Sequence, residues 1–475
     1  MPISSFFEQK IVQKLPFMPN RGQQDAIEAL SAFILDESGR ERIFVLRGYA
    51  GTGKTSLVGA LVKAMDEMQM RTFLMAPTGR AAKVFAQKAE KTAFTIHKSI
   101  YRQQRFSVEM EGFQLLDNRQ RDVLFICDEA SMISTLNEGS PFGTGNLLDD
   151  LIEYVYSAEG CRLLLVGDDA QLPPVGQVRS PALDVNQLRG YGLEVVAMQL
   201  TEVARQQLDS GILANATVLR QQLNDGLVEA LPRVRYNKCF NDVRRIDGYE
   251  FLECLETSYS RQGLDDTIII TRSNKRANQF NQGVRNQILG REEELSAGDR
   301  LLVVRNNYFW GKEFDQLPFI ANGDVVDVKR VRNVREMYGF RFADAEILLP
   351  DYDIETEVTL MLDTLAVEGP NLPQSRQQEL FAAIAQDYPE IRNQRDLYKM
   401  MKANPYFNAL QVKYGYCVTC HKSQGGQWSD VYLDVGYINP EHLGVDFYRW
   451  IYTAFTRATQ TLYLVNPSED MLASD

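Results

Sequence analysis

Cysteine is scarce, with six in 475 residues. That is too few for a disulfide framework, and a reducing compartment keeps such thiols free. Long apolar runs are also missing: the most aliphatic stretches, residues 163–166 and 267–270, fall far short of the roughly 18 residues that cross a bilayer. A membrane-spanning helix is therefore excluded. At the N-terminus Glu8, Lys10 and Lys14 interrupt the apolar residues, so no secretory h-region forms and a cytoplasmic location is expected. Basic excess is absent as well. Lys and Arg number 51 against 63 Asp and Glu, a net charge of −12, so any nucleic-acid groove has to be local. No fixed-period repeat or low-complexity tract points to a solenoid.

What is present is an ordinary globular composition, 44% hydrophobic and 24% charged, which can bury real cores. Its length suggests about three domains, or two with large insertions. Aliphatic runs at 43–46, 72–75, 123–127 and 162–166 alternate with helical patterns and end in Gly, Pro or Asp, the habit of buried parallel strands with loops at their carboxyl ends. Residues 1–200 thus read as one α/β domain. Runs at 267–271, 431–435 and 462–465 imply a second α/β domain split between 201–294 and 406–475. The intervening 295–405 change character: short alternating runs at 301–305, 324–331, 340–349 and 355–362, with an Asn322-Gly323 turn, read as a small antiparallel barrel. Two polar helices follow, near 374–387 and 394–403. A smaller insertion, about 98–121, contains two strand-like arms around Glu111-Gly112 within 105–118, a hairpin pattern.

Residues 48–55 read GYAGTGKT, between a strand-like run and a helical stretch beginning at Ser56. This is the phosphate-binding P-loop in its required setting. The backbone of Gly48, Tyr49, Ala50, Gly51, Thr52 and Gly53 is expected to wrap the phosphates of ATP, with Lys54 reaching the β and γ groups. Thr55 ligates Mg²⁺, and Ser56 completes the set at the helix start. The run 123–127 ends in Asp128-Glu129. Hydrolysis needs one carboxylate to hold Mg²⁺ through water and one to polarise the attacking water, roles that fall to Asp128 and Glu129. Gln171, in GDDAQLPPVG at 167–176, is placed to contact the γ-phosphate and its water.

The order of further motifs resembles superfamily 1 DNA helicases, in the branch holding the RecD, Pif and phage Dda enzymes. The resemblance covers most of the chain, which in length is nearest the compact Dda type. Gln23 in NRGQQDA is similar to the family's adenine-reading glutamine. APTGRAAK at 76–83, with Pro77, Thr78, Arg80 and Lys83, and TIHK at 95–98, with Thr95 and His97, resemble its motifs for gripping single-stranded DNA. YGYCVTCHKSQGGQ at 414–427 would add Thr419, His421, Lys422 and Ser423 to that grip and Gly425 to the nucleotide site. LTEVARQ at 200–206 and YTAFTRAT at 452–459 supply Arg205 and Arg457, which the resemblance makes arginine fingers.

The resemblance implies two RecA-like domains, a hairpin acting as a wedge, an SH3-like barrel, and ATP with Mg²⁺ as cofactors. It also implies single-stranded DNA and duplex junctions as partners and 5′ to 3′ movement, with a monomer sufficing. A single-strand-binding protein and replication, recombination or repair proteins are the partner classes it suggests. Two rivals stand: a P-loop ATPase that clamps nucleic acid without unwinding, and an RNA-directed motor. His97 also fits a core or capping histidine. Cys417-x-x-Cys420-His421 matches the c-type haem pattern, but without an export signal or a second ligand pair for zinc the thiols are expected to pack as small apolar residues.

Overall fold

Strands β1 (Arg42–Gly48), β2 (Arg71–Ala76), β3 (Ala93–Thr95), β4 (Tyr101–Gln103), β5 (Phe113–Leu115), β6 (Val123–Cys127), β7 (Arg162–Gly167) and β8 (Glu194–Leu200) make up the first domain. In the computed structural model, which describes residues 3–103, 113–136, 142–203, 209–237, 239–311, 314, 317, 319–391 and 393–473, six of them form one sheet, β3-β2-β6-β7-β1-β8. All its pairings are parallel. Every residue of β6 is buried, as expected of a strand covered on both faces. The sheet's carboxyl edge therefore gathers the P-loop after β1, Pro77-Thr78 after β2, Asp128-Glu129 after β6 and the 168–172 loop after β7. That edge is where open α/β sheets bind ligands.

β4 and β5 pair antiparallel, Tyr101 opposite Leu115. They form the base of the hairpin read at 105–118, whose tip, residues 104–112, lies outside the described residues. Phe113 at the base packs on Phe142, Tyr308 and Phe319, with ring centroids 4.5, 4.8 and 5.8 Å away.

The second half contributes β9 (Val243–Ile246), β10 (Thr267–Thr271), β11 (Arg300–Val303), β12 (Val325–Met337), β13 (Phe340–Leu349), β14 (Ile354–Met361), β15 (Leu410–Tyr414), β16 (Cys417–Thr419), β17 (Trp428–Asp434) and β18 (Ala458–Val465). β16-β10-β17-β18-β9 form a second parallel sheet, and β11 to β15 close into a barrel. The barrel does not end at 405. β15, assigned from sequence to the second α/β domain, pairs with β11 and β14, because its apolar face completes the core of Leu301, Val303, Leu360 and Val412. The insertion accordingly runs to Tyr414.

Where the chain enters and leaves the barrel, a buried polar knot ties the crossings together. Asp299, fully buried, accepts from Arg285 Nε (3.0 Å) and Nη2 (2.9 Å), Arg291 Nη1 (2.8 Å) and Tyr416 Oη (3.0 Å). The helices Gln374–Ala385 and Gln394–Ala403 cover the barrel through Leu380, Ile384 and Met401, against Phe340 and Phe342. Among the described residues no helix is long and apolar enough to cross a membrane.

Candidate functional site

A cavity of about 610 Å³ opens between the two α/β domains. Its first-domain wall is the P-loop, where Gly51 and Gly53 take left-handed φ values of +74° and +82°. A Cβ on Gly53 would stand 2.8 Å from Gln23 Nε2 and 3.1 Å from Phe17, so the tight turn requires glycine. Gly53 caps the helix Lys54–Glu67, so that helix N-terminus points its free N–H groups at the cavity. Lys54 Nζ lies over the loop, donating to the carbonyls of Gly48 (2.5 Å) and Tyr49 (3.0 Å). Thr55 and Ser56 line the cavity, whereas Thr52 is buried with its hydroxyl donating to Tyr49 O at 2.8 Å.

Thr55 Oγ1 stands 3.5 Å from Asp128 Oδ2, which brings together a hydroxyl and a carboxylate suited to a hard divalent cation. Burial, and next the charge of Glu129, push the Asp128 carboxyl up to about 6. Glu129 adopts φ +52°, a turn that aims it into the same cavity. Gln171 is 6% exposed and its Oε1 is buried without a hydrogen-bond partner among the described residues. A polar atom left in that state marks a place where a polar group belongs. Anion-binding glycine loop, hydroxyl–carboxylate pair and orphaned amide together fit a nucleoside triphosphate and Mg²⁺.

The facing wall belongs to the second domain and includes Gln427, Thr456, Arg457 and Thr459. Arg457 is 2% exposed, held by the carbonyls of Thr453 (3.1 Å from Nε) and Gly426 (3.1 Å from Nη1). Arg205 lies outside the described residues.

Two nucleotide-site expectations change. Gln23 does abut the P-loop, donating from Nε2 to Thr52 O at 2.9 Å, but its Oε1 closes a capping box on Asn20 N–H, also at 2.9 Å. Both ends of the amide are thus engaged by protein, and Pro16 and Phe17 line the cavity instead. Gly425 is not in the cavity wall: with φ +74°, a Cβ there would lie 2.9 Å from Ala81 Cβ and 3.1 Å from Thr78 Oγ1. Its lack of a side chain serves close approach of the two domains. Residues missed by sequence reasoning include Phe17, Asp168, Arg220 and Tyr452. Arg220 stacks 4.1 Å over the P-loop Tyr49 ring. Tyr452, five positions before Arg457, sits within a motif already singled out.

The motifs expected to grip DNA meet on one side of this interface. Thr78 caps the helix Gly79–Ala89 by accepting from Ala81 N–H at 3.2 Å, and Pro77 is half-buried beside it. The Arg80 guanidinium lies 4.1 Å over the Trp428 ring of the second domain. Lys83 reaches the barrel at Asp351 (3.3 Å) and Pro350 O (3.1 Å). His421 is exposed and Lys422 half-buried. Burial, then the neighbouring Lys413, lower the Lys422 ammonium to about 8.

Other members are buried or engaged by neighbouring protein groups in this arrangement. Ser423 is fully buried, its hydroxyl spent on Cys420 O at 2.7 Å. Thr95 is buried and caps the helix Ile96–Ile100, accepting from Lys98 N–H. Thr419 is 9% exposed. His97 packs edge-on to Phe142 at 4.8 Å, and burial lowers its imidazole to about 4. The aromatic-core alternative describes it, and it carries no charge at neutral pH. Cys417 and Cys420, 2% and 0% exposed, pack in the apolar cores of the second half.

Fold and site together define a P-loop α/β protein of two RecA-like domains with a cavity at their interface. Residues 18–238 match the AAA domain family and residues 414–465 the UvrD-like helicase C-terminal domain. Among curated relatives, the uncharacterised protein R530 of Acanthamoeba polyphaga mimivirus is 23% identical, covering 94% of this chain and 99% of that protein. The ATP-dependent RecD2 DNA helicase of Deinococcus radiodurans is 30% identical over 187 residues, 39% of this chain and 22% of its own length. The uncharacterised protein MJ1519 of Methanocaldococcus jannaschii is 25% identical, and the chain spans 37% of it. Solved structures similar to this chain include Pif1 helicase from Candida albicans (16% identity, 97% of both chains, TM-score 0.44). Another is a Bacteroides Pif1 in complex with ADP-AlF3 and single-stranded DNA (15% identity, 97% of this chain and 95% of that one, TM-score 0.45).

Proposed function

We propose that the chain is an ATP- and Mg²⁺-dependent DNA helicase that moves 5′ to 3′ on single strands and separates duplex at a junction, acting as a monomer. One observation carries this reading: the cavity is walled by a P-loop and acid pair from one domain and by Arg457 from the other. Chemistry that needs both walls ties turnover to relative domain position, and that link is what a translocating motor requires.

In this reading Lys54 and the P-loop N–H groups other than that of Ala50, which Tyr452 holds, bind the phosphates, Thr55 and Asp128 hold Mg²⁺, Glu129 accepts the proton of the attacking water, and Gln171 orients it. Arg457, with Arg205 as its expected partner, stabilises the charge that develops in transfer. Mg²⁺, when bound, neutralises phosphate charge. Thr78, Arg80, Lys83, His421 and Lys422 contact DNA phosphates, which suits a motor indifferent to sequence. The hairpin acts as the wedge and the barrel as its SH3-like support. Cytoplasmic work in replication, recombination or repair, beside a single-strand-binding protein, follows from the same reading.

The test is strand separation from 5′-tailed, 3′-tailed and RNA-tailed duplexes with ATP and Mg²⁺. The 5′-tailed DNA substrate alone should be opened. ATP turnover without separation would make the protein a clamp, and preference for the RNA tail would make it an RNA motor.

A further inference from the structure

One side chain of the second domain reaches both nucleotide-sensing loops of the first. Tyr452, 1% exposed on the helix Val445–Phe455, accepts a hydrogen bond from Ala50 N–H of the P-loop at 3.0 Å and donates one to Asp168 Oδ2 at 2.7 Å. Asp168, also 1% exposed, accepts in turn from Ala170 N–H at 3.0 Å, fixing the turn that carries Gln171. The neighbouring residue repeats the link: Leu172 N–H donates to Thr453 Oγ1 at 2.9 Å, and Thr453 O holds Arg457 Nε at 3.1 Å. Gln424 Nε2 reaches Leu172 O at 2.7 Å from the other side.

A phenol has one proton to give. With that proton on Asp168, the Tyr452 oxygen receives Ala50 N–H, and every partner is satisfied in a single relative placement of the two domains. Displacing either loop would strand the buried Asp168 carboxylate or the half-buried Ala50 N–H, and buried polar networks lose most when half-broken. The same helix end holds Arg457, so the hydroxyl sets where the arginine stands relative to the P-loop and Gln171.

We propose that Tyr452 is a positioning residue for hydrolysis: through Ala50 N–H and Asp168 it locks the P-loop, the Gln171 turn and Arg457 into one register. This deepens the ATPase reading above and rests on it. Tyr452 touches no reacting atom in this scheme, so its contribution falls on the geometry reached in turnover and not on ATP affinity.

The test is Tyr452→Phe, which keeps the ring in its core and deletes only the hydroxyl, beside Asp168→Asn, which keeps an acceptor. Two measurements are made: DNA-stimulated ATPase kinetics, and amide hydrogen exchange of the P-loop peptide without nucleotide. The expectation for Tyr452→Phe is kcat lowered about tenfold or more with KM for ATP within about threefold, the pattern of an interaction realised in the transition state. Asp168→Asn should lose less, the double variant should be no worse than Tyr452→Phe, and exchange at Ala50 should quicken. A wild-type kcat, a change confined to KM, additive losses, or unchanged exchange at Ala50 would each overturn the proposal. A wild-type protein that turns over no ATP would instead remove the ATPase reading. The exchange measurement would still report separately whether the hydroxyl restrains the P-loop.

Discussion

Lys54 and Arg457 face each other across a cleft, yet their loss should look different. Lys54→Ala should abolish turnover with the fold kept, since in the proposed site its charge acts on bound phosphate; near wild-type DNA-stimulated hydrolysis would refute that role. Arg457→Ala should still bind ATP while kcat falls at least about 10²-fold, because the finger role proposed for it acts chiefly on transition-state charge. Steady-state kinetics distinguish a kcat loss from a raised KM.

Lys422 gives a pH prediction with a definite sign. Its ammonium is depressed to about 8 by burial, so it is charged below that pH and loses charge as pH rises through it. Affinity for single-stranded DNA should weaken between about pH 7 and 9, and Lys422→Arg should flatten the dependence, arginine staying protonated throughout. Titrations at constant salt check it. At this scale the meeting of the P-loop and the acidic pair in one cavity was legible, because Gly, Lys and acidic residues at strand ends have few other uses in that order. Ser423 and His97 were not: a hydroxyl or imidazole in a motif gives no sign of whether it faces solvent or a neighbouring carbonyl or ring. Tyr452 was hidden for a related reason, since its partners lie 402 and 284 positions away.

Elements raise a different kind of question, namely what fixes them to one another. A Cβ on Gly425 would stand 2.9 Å from Ala81 Cβ and 3.1 Å from Thr78 Oγ1, closer than a side chain allows. Gly425→Ala should therefore hold the domains apart there, lowering DNA-stimulated ATPase more than the DNA-free rate. The knot at the barrel's root is a stability element: Asp299→Ala would leave Arg285 buried without its counter-charge, a change that costs about 3–5 kcal/mol. Chemical denaturation should show the loss. Strands with continuous aliphatic runs, such as β6 and β10, could be read from sequence. β15 could not be placed, because LQVKY reads equally well as a strand of either neighbour until its partners are known. The three-residue strands β3 and β16 are too short to show a period at all.

At the scale of the molecule, a net charge of −12 coexists with an expected DNA grip. Distant acidic surface is screened beyond roughly 8 Å at physiological salt, and counterion release depends on the phosphates actually contacted. Affinity for single strands should thus fall steeply with salt. Lys422→Ala should flatten that slope equally on unrelated sequences, as parallel salt titrations of two oligonucleotides would show.

The knot at Asp299 makes the barrel a rigid outgrowth of the second domain, while Lys83–Asp351 and Phe113–Tyr308 touch it to the first. A body rooted on one side of a hinge and resting on the other behaves as a lever with a brake. Any swing about the cleft has to slide these contacts. The ion pair is partly solvated, with side-chain exposures of 42% and 13%, so it yields at little cost. The ring contact at the hairpin base joins a largely buried aromatic cluster, with Tyr308 packed at its edge, and resists. In the proposed motor, resistance to the stroke would therefore concentrate beside the hairpin base, and Tyr308→Ala should quicken strand separation in the tailed-duplex assay.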